Sequence, residues 1–446
     1  MGVVGQDTIG PLKHLRRFAP LFALGAVLVV GPPASGQAVG WSPLSSSPLQ
    51  ARGFHTAVWT GQEMLVWGGS SAGRLFGDGA AYDPAADSWR ELSRAPLQPR
   101  TGHVAVWTGN EMLVWGGCCG RGAREFDDGA AYDPRRDRWR PLPAPPIAAR
   151  TGHTGVWTGS ELLVWGGHVF GTEFADGAAY DPRRDRWRPL PEASTSGRFG
   201  HTAVWTGTEM LVWGGATARE TLADGAAYDP AADTWRPIRP APVAGRSGHA
   251  FVWTGQYAVA WGGCCDEASA ELFDGVVYDP AADAWVPLPQ GPLAPRQLHT
   301  AVWTGDQIVV WGGRAGLEQY PPDAASYVPA SASWARLRRG GLVPRAGHTA
   351  IWSGQGMIVW GGCCTGEQAG FSDGAALEFP PTPPPPSPEP SPSPAPVAPS
   401  PSPPIEREEG SAALPIALAA IGSVAVAVGI AAAVRRARSA RSRPRT

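Results

Sequence analysis

The stretch from His55 to Trp89, HTAVWTGQEMLVWGGSSAGRLFGDGAAYDPAADSW, decides the fold because its parts recur along the chain. Each copy opens with the pattern H-x-x-x-W-[TS]-G, and a Trp-Gly-Gly triplet begins twelve residues after the histidine. Seven copies follow one another at intervals of 48 to 50 residues, and their opening histidines are His55, His103, His153, His201, His249, His299 and His348. A repeat of this kind must be recognised before the chain is divided into domains.

Each copy is predicted to form four short strands. The apolar segments His55–Trp59 and Met64–Trp67 flank a Thr-Gly pair, which is typical of a tight hairpin. A third strand runs through Ala80–Tyr82, and an Asp-Pro turn leads into a fourth strand that contains Trp89. Four short strands in a repeat of about 40 to 50 residues indicate the blades of a β-propeller.

The double glycine after an apolar strand, the later tyrosine and tryptophan, and the arginine before the next copy resemble the kelch repeat. The resemblance covers residues 41 to about 380 and rests on seven concordant copies. It implies an all-β fold, a seven-bladed kelch-type β-propeller over residues 41–380. It also implies that the first strand of each blade lines a central channel and that the fourth is outermost.

One tryptophan indicates how the ring closes. The chain has 21 tryptophans, and the three landmark positions of the repeats account for all of them except Trp41. The residues around Trp41 match those around Trp89, which lies in a fourth strand. We therefore predict that Trp41 belongs to an N-terminal outer strand that completes the last blade, beside a third strand near Leu377.

The two faces of such a ring differ in how much they vary. The turns within the hairpins, W-T-G and D-P, are nearly the same in every blade. The loops between Gly-Gly and the next aspartate hold 8 to 10 residues and differ from blade to blade. We therefore expect a specific ligand to bind on the face that carries these variable loops.

Two rings of charge accompany the repeats. An arginine lies three residues before each histidine: Arg52, Arg100, Arg150, Arg198, Arg246, Arg296 and Arg345. An aspartate follows each variable loop: Asp78, Asp128, Asp176, Asp224, Asp274, Asp323 and Asp373. The arginines either form an anion-binding funnel at the channel mouth or pair with the aspartates and hold the blades together. Because the arginines occur in every blade, we favour the interpretation that they hold the blades together. The same reasoning assigns the seven histidines to the scaffold.

His168 is different because it lies outside the repeat positions. It is in the third variable loop with Phe170 and Phe174, and it is a candidate for the binding face together with the seven arginines.

The six cysteines form three doublets, each at the start of a ten-residue variable loop. The doublets are Cys118-Cys119, Cys264-Cys265 and Cys363-Cys364. The three blades are not neighbours, so vicinal disulfides within each doublet are the leading interpretation in an oxidising compartment. Shared metal binding would require the loops to converge over the channel, and we predict no metal site.

The two ends of the chain predict export and anchoring. Residues 1–38 resemble a signal peptide, with a basic segment before an apolar run. Residues 381–411 are a Pro/Ser-rich stalk, predicted to be disordered, and 413–434 are an uninterrupted apolar stretch predicted to form a transmembrane helix. Six arginines in 435–446 predict a cytoplasmic tail. A processed sorting signal is the alternative for the C-terminal helix.

The sequence predicts a binding module. A net charge of -2 does not favour nucleic acid as a partner. No catalytic constellation, cofactor motif or metal spacing is identifiable, and the lone cysteine of kelch-like copper oxidases has no counterpart among the doublets. We expect a monomeric ectodomain at the cell membrane that binds a protein or a surface glycan. The alternatives are a carbohydrate-active enzyme (epimerase, lyase or hydrolase) that uses the funnel, and a structural cell-envelope protein.

Overall fold

The computed structural model of the chain describes residues 40–119, 124–264, 270–316, 319–363 and 370–379. The predicted signal peptide, stalk, C-terminal helix and basic tail lie outside the described residues. The described residues include no helix with the length and apolar character that a membrane span requires.

The described residues form seven four-stranded antiparallel sheets. The first strands begin directly after the repeat histidines and are Thr56–Trp59, Val104–Trp107, Thr154–Trp157, Thr202–Trp205, Ala250–Trp253, Thr300–Trp303 and Thr349–Trp352. The second strands are Met64–Trp67, Met112–Trp115, Leu162–Trp165, Met210–Trp213, Ala258–Trp261, Ile308–Trp311 and Gly356–Trp360. First strands of neighbouring blades contact one another around the ring, so they are innermost.

The outer half of each blade follows the predicted order. The third strands are Gly79–Asp83, Gly129–Asp133, Gly177–Asp181, Gly225–Asp229, Gly275–Asp279, Ala324–Val328 and Gly374–Glu378. The fourth strands of blades 1 to 6 are Ser88–Glu91, Arg138–Pro141, Arg186–Pro189, Thr234–Ile238, Ala284–Pro287 and Ser333–Leu337. Among the described residues, small hairpins occur in two variable loops: Ser70–Ser71 pairs with Arg74–Leu75 in blade 1, and His168–Val169 pairs with Thr172–Glu173 in blade 3. A short 3-10 helix spans Pro329–Ser331.

The fourth strand of blade 7 is Gly40–Pro43, from the opposite end of the sequence. It pairs antiparallel with the third strand Gly374–Glu378, with Trp41 opposite Leu377. The chain therefore closes the ring as predicted, and it gives blade 7 the same four strands as the other blades.

Tryptophans hold the blades together. The second-strand tryptophans are almost completely buried, and each lies against the fourth-strand tryptophan of the next blade. Trp67 and Trp139, for example, have ring centroids 5.8 Å apart. Because each tryptophan side chain buries about 150 to 250 Å², these contacts form much of the apolar core between blades.

Candidate binding face

The base of every variable loop is an isolated antiparallel bridge. One partner is the second residue before a repeat histidine, and the other is the first residue after Gly-Gly. The bridges are Gly53–Ser70, Thr101–Cys118, Thr151–His168, Phe199–Ala216, Ser247–Cys264, Gln297–Arg314 and Ala346–Cys363. The backbone pairing at the loop base is therefore the same in all seven blades, whereas the two bridged residues differ from blade to blade.

The repeat arginines lie beneath these bridges and connect neighbouring blades. The backbone of Arg150 bonds to blade 2, donating to Phe126 and accepting from Gly117. Its guanidinium reaches into blade 3, where Nη1 donates to the carbonyl of Gly166 at 3.0 Å and to the carboxylate of Asp176 at 2.8 Å. Arg150 therefore joins two blades through a single residue.

The same arrangement recurs around the ring. The pairs are Arg52–Asp78, Arg100–Asp128, Arg150–Asp176, Arg198–Asp224, Arg246–Asp274, Arg296–Asp323 and Arg345–Asp373. All seven arginine side chains are completely buried, so they do not present their guanidinium groups to a ligand. The anion-binding funnel therefore does not fit the structure, because the charge that would form it is already paired and covered.

The electrostatics of two of these aspartates reflect the pairing. Burial alone would raise the pKa of Asp78, but the hydrogen bond and positive charge of Arg52 outweigh burial and lower it. Asp224 behaves in the same way beside Arg198. The carboxylates therefore remain ionised beside the buried guanidinium groups.

The repeat histidines are also buried between blades. The ring of His103 lies edge-on against Trp67 of the preceding blade, at 5.1 Å between ring centroids, and its Nε2 is 2.8 Å from the hydroxyl of Thr56. Burial, and then the charge of Arg100, lower the pKa of His103 to about 3. A buried, neutral imidazole of this kind packs the interface and is not a candidate general base.

The double glycine explains how the histidine fits. Gly68 has φ of +74°, and a Cβ at this position would lie 2.7 Å from the ring of His103. Only glycine adopts this conformation readily and leaves room for the ring.

Two of the seven histidines lack the threonine partner. Val104 and Ala250 replace threonine at the start of the first strands in blades 2 and 5. Consistent with this, the Nε2 atoms of His153 and His299 have no hydrogen-bond partner among the described residues.

The residues directly before the repeat histidines form a collar at the inner edge of the variable face. All seven have positive φ, and five are glycine: Gly102, Gly152, Gly200, Gly248 and Gly347. The exceptions are Phe54, with φ of 55°, and Leu298, with φ of 54°. A left-handed conformation costs a bulky residue about 1 to 2 kcal/mol, and such strain concentrates at functional sites. Phe54 is also 42% exposed.

His168 lies at the base of the blade 3 hairpin. Its ring packs against Phe199 of blade 4, with ring centroids 4.4 Å apart. Phe170, at the tip, is 75% exposed and has φ of 40°. Phe174 instead lies under the guanidinium of Arg150, so it supports the scaffold. The predicted trio is therefore divided, with His168 and Phe170 on the variable face.

Three apolar residues of this face were not predicted from the sequence: Phe54, Phe199 and Leu298. Two of them could have been recognised from the sequence, because Phe54 and Leu298 replace the glycine that precedes the histidine in the other five copies.

The cysteine doublets lie on the same face. Cys118 and Cys119 are joined by a disulfide, and their Cα atoms are 3.7 Å apart. Cys264 and Cys363 are also disulfide-bonded, whereas Cys265 and Cys364 lie outside the described residues. No group of three or more histidine, cysteine or acidic side chains within the described ranges is arranged to hold a metal ion.

The opposite face carries a second set of clamps, which sequence analysis did not identify. In blade 2, Arg140 forms a bidentate pair with Glu111 and donates to the hydroxyl of Tyr180 in blade 3 at 3.0 Å. The corresponding arginines are Arg90, Arg188 and Arg236. These clamps join blades 1 to 5 on the face that has the repeated hairpin turns.

Comparison with known proteins agrees with the repeat analysis. The family model described as the KLHDC2/KLHL20/DRC7 Kelch-repeats domain matches residues 102–285 and 248–380. No curated protein matches the chain.

Proposed function

Since this chain belongs to the kelch-repeat β-propeller family, we propose that it is a binding module whose ligand-contacting surface is the variable face. The proposal rests on a contrast within each blade between a repeated buried scaffold and the varied side chains above it. Arginine, histidine and Gly-Gly build the same buried scaffold seven times, whereas the two side chains of the bridge above it differ every time. Variation on a fixed scaffold is what ligand recognition requires.

We propose a protein as the ligand. Phe170 and Phe54 are among the few large apolar side chains that are exposed in the described residues, and both lie on left-handed backbone on this face. Exposed aromatic residues are common anchors of protein interfaces. Kelch propellers also commonly bind proteins.

The proposal includes where the propeller is displayed. The apolar run in 1–38 and the uninterrupted apolar stretch 413–434 support export and a single membrane anchor. In this arrangement the propeller is extracytoplasmic, and the Pro/Ser-rich segment 381–411 separates it from the bilayer. Protease treatment of intact cells tests the orientation: the propeller should be digested and the tail protected.

The binding face is tested by comparing variants of the immobilised chain. Surface proteins are captured from a detergent extract and identified by mass spectrometry, and a glycan array is probed in parallel. The variants are Phe170→Ser and Phe54→Gly, the second of which restores the residue found in five other blades. We expect both to lose a protein that the unsubstituted chain enriches.

Val286→Ser provides the control. Val286 is 61% exposed on a fourth strand, away from the variable loops. This variant should capture the same protein as the unsubstituted chain. Binding to a glycan with no enriched protein would change the ligand class, and capture that is unaffected by either phenylalanine substitution would contradict the proposed face.

A further inference from the structure

A groove lies where the ring closes, on the face opposite the variable loops. Its volume is about 810 Å³, and it lies between blades 6, 7 and 1. We call it the closure groove. Its lining includes Ser42, Tyr82, Asp87, Asp306, Trp352 and Glu378.

At four other blade junctions the corresponding space holds an arginine that donates to the tyrosine hydroxyl of the next blade, and at two of them the arginine also donates to the aspartate. Between blades 2 and 3, Arg140 on a fourth strand donates to the hydroxyl of Tyr180 at 3.0 Å and to the carboxylate of Asp185 at 3.2 Å. Arg188 makes the same two bonds to Tyr228 and Asp233. The tyrosine and aspartate of one blade therefore form an acceptor pair for a guanidinium from the preceding blade.

Blade 1 has the same acceptor pair. The hydroxyl of Tyr82 donates to Asp87 at 2.7 Å, as Tyr132 does to Asp137 in blade 2. The preceding blade is blade 7, and its fourth strand is the N-terminal one. There the residue at the arginine position is Ser42, which follows Trp41 as Arg90 follows Trp89.

The glutamate of the clamp is replaced as well. Gly356 takes the position that Glu111 has in blade 2, and it leaves the space in front of Ser42 open. Glu378 lies opposite Gly356 in the neighbouring strand, so a carboxylate is still available at this edge. Five blades have the Tyr–Asp pair in the described residues, and blade 1 is the one whose pair faces no repeat arginine.

The groove is acidic. Its lining includes Asp87, Asp306 and Glu378, and among the described residues it contains no lysine or arginine. None of these three carboxylates forms a salt bridge with a basic side chain in the described ranges. Burial, and then the hydrogen bond and charge of Asp87, raise the pKa of Tyr82. Burial also raises the pKa of Tyr132, to about 12, although Arg90 opposes this shift.

We propose that the closure groove binds an arginine side chain of a partner protein. Its guanidinium lies against Tyr82 and Asp87, in the position that Arg140 holds against Tyr180 and Asp185, and Glu378 contributes to the negative field. Trp352 and Phe379 provide aromatic surface for the aliphatic part of the side chain. Arginine is favoured over lysine because a planar guanidinium donates to two acceptors at once. This site is separate from the variable face and does not depend on it.

The direct test uses a short peptide and the purified full chain. The probe is acetyl-Ala-Arg-Ala-amide, and its control is the same peptide with citrulline, which keeps the shape and removes the charge. Ligand-observed NMR detects weak binding. We expect saturable binding of the arginine peptide, and binding of the citrulline peptide that is at least about tenfold weaker because a charge-assisted hydrogen bond is lost. Equal binding of the two peptides, or no binding of either, would overturn the proposal.

Matched substitutions locate the site. Asp87→Asn should weaken peptide binding about tenfold or more, since it keeps the shape and removes the charge. Asp137→Asn is its control, because Asp137 has the same tyrosine and backbone contacts but faces Arg90. It should not change peptide affinity. An effect of the same size in both variants would mean that the peptide does not bind in the closure groove.

Restoring the fourth-strand arginine at the position of Ser42 provides an independent test. Ser42→Arg should place the guanidinium of the chain itself in the groove, abolish peptide binding and raise the melting temperature. Val286→Arg adds the same residue at the blade 5 position, where the next blade has Ala332 in place of the aspartate, and it should leave peptide binding unchanged. If Ser42→Arg folds and still binds the peptide with unchanged affinity, the groove is not the site.

Discussion

The indole ring of Trp41 packs against that of Trp311, with ring centroids 5.5 Å apart. The first residue belongs to the N-terminal strand that completes blade 7, and the second to blade 6. Equivalent tryptophan contacts join the other blades, as between Trp360 and Trp89. The closing strand therefore both completes a sheet and seals an interface between blades.

Removing this contact should destabilise the whole ring. We expect Trp41→Ala to lower the free energy of unfolding by about 2 to 4 kcal/mol, because a partly buried aromatic side chain is deleted from the core. Chemical denaturation monitored by circular dichroism measures the change. Gln62→Ala, at an exposed hairpin turn, is the control and should lie within about 0.5 kcal/mol of the unsubstituted chain. A similar small effect for Trp41→Ala would contradict its role in closure.

The buried arginines should be more important to stability than surface ion pairs. Arg150→Met keeps the backbone bonds to blade 2 but removes the guanidinium bonds to blade 3, which leaves a carbonyl and a carboxylate there without their donor. We therefore expect a loss of about 2 to 4 kcal/mol in unfolding free energy. Arg136, whose pair with Asp133 is at the surface, is the control. Arg136→Ala should cost about 0.5 kcal/mol or less. Equal effects of the two substitutions would contradict the assignment of Arg150 as an inter-blade clamp.

Acid should unfold the propeller at a pH set by the repeat histidines. In the unfolded chain each histidine binds a proton near pH 6.5, whereas burial lowers the pKa to about 3 in the folded ring for six of them, including His55 and His348. The unfolded state therefore binds more protons between these values, and stability falls as the pH falls. Each histidine contributes about 1.4 kcal/mol per pH unit.

Calorimetry between pH 7.5 and 4.5 measures this effect. The melting temperature should be nearly constant above pH 7 and should decrease steeply below pH 6.5. A melting temperature that does not change across this range would show that the histidines titrate normally and are not buried as described.

The missing threonine partners can be supplied. Val104→Thr keeps the shape of the side chain and places a hydroxyl near Nε2 of His153, as Thr56 does for His103. We expect a gain of about 0.5 to 1.5 kcal/mol in unfolding free energy. The reverse change, Thr56→Val, should cost a similar amount or more by leaving His103 unpaired. Denaturant titration of both variants tests the pair, and changes of the same sign in both would contradict it.

The repeat period, the blade strands and the closing role of Trp41 were predictable because they depend on spacing within one sequence. The same repetition allowed the arginines to be assigned to the scaffold. Two features were not predictable in this way. The bonds of Arg150 to two blades could not be predicted, because the sequence does not show which backbone atoms of blade 2 lie next to those of Arg150. The closure groove could not be predicted either, because it exists only where the closed ring brings Ser42 next to Tyr82.

The positive φ of Phe54 and Leu298 was likewise hidden, since the sequence shows a changed residue but not the conformation that it must adopt. The difference between predictable and unpredictable contacts has a physical reason. Contacts that recur in every blade follow from the repeat pattern, whereas features found only at the junction of blades 7 and 1, such as the closure groove, follow from the closed ring.

Exchange of two variable loops tests the central claim most directly. Residues 168–173 of blade 3 are replaced by 70–75 of blade 1, because both form hairpins of the same length with positive φ at Phe170 and Ala72. Surface-protein capture by the exchanged chain is then compared with that of the unsubstituted chain. We predict a melting temperature within about 4 °C of the original, consistent with a change of less than about 1 kcal/mol, together with loss of the captured ligand. An exchanged chain that folds and captures the same ligand equally well would contradict recognition on the variable face.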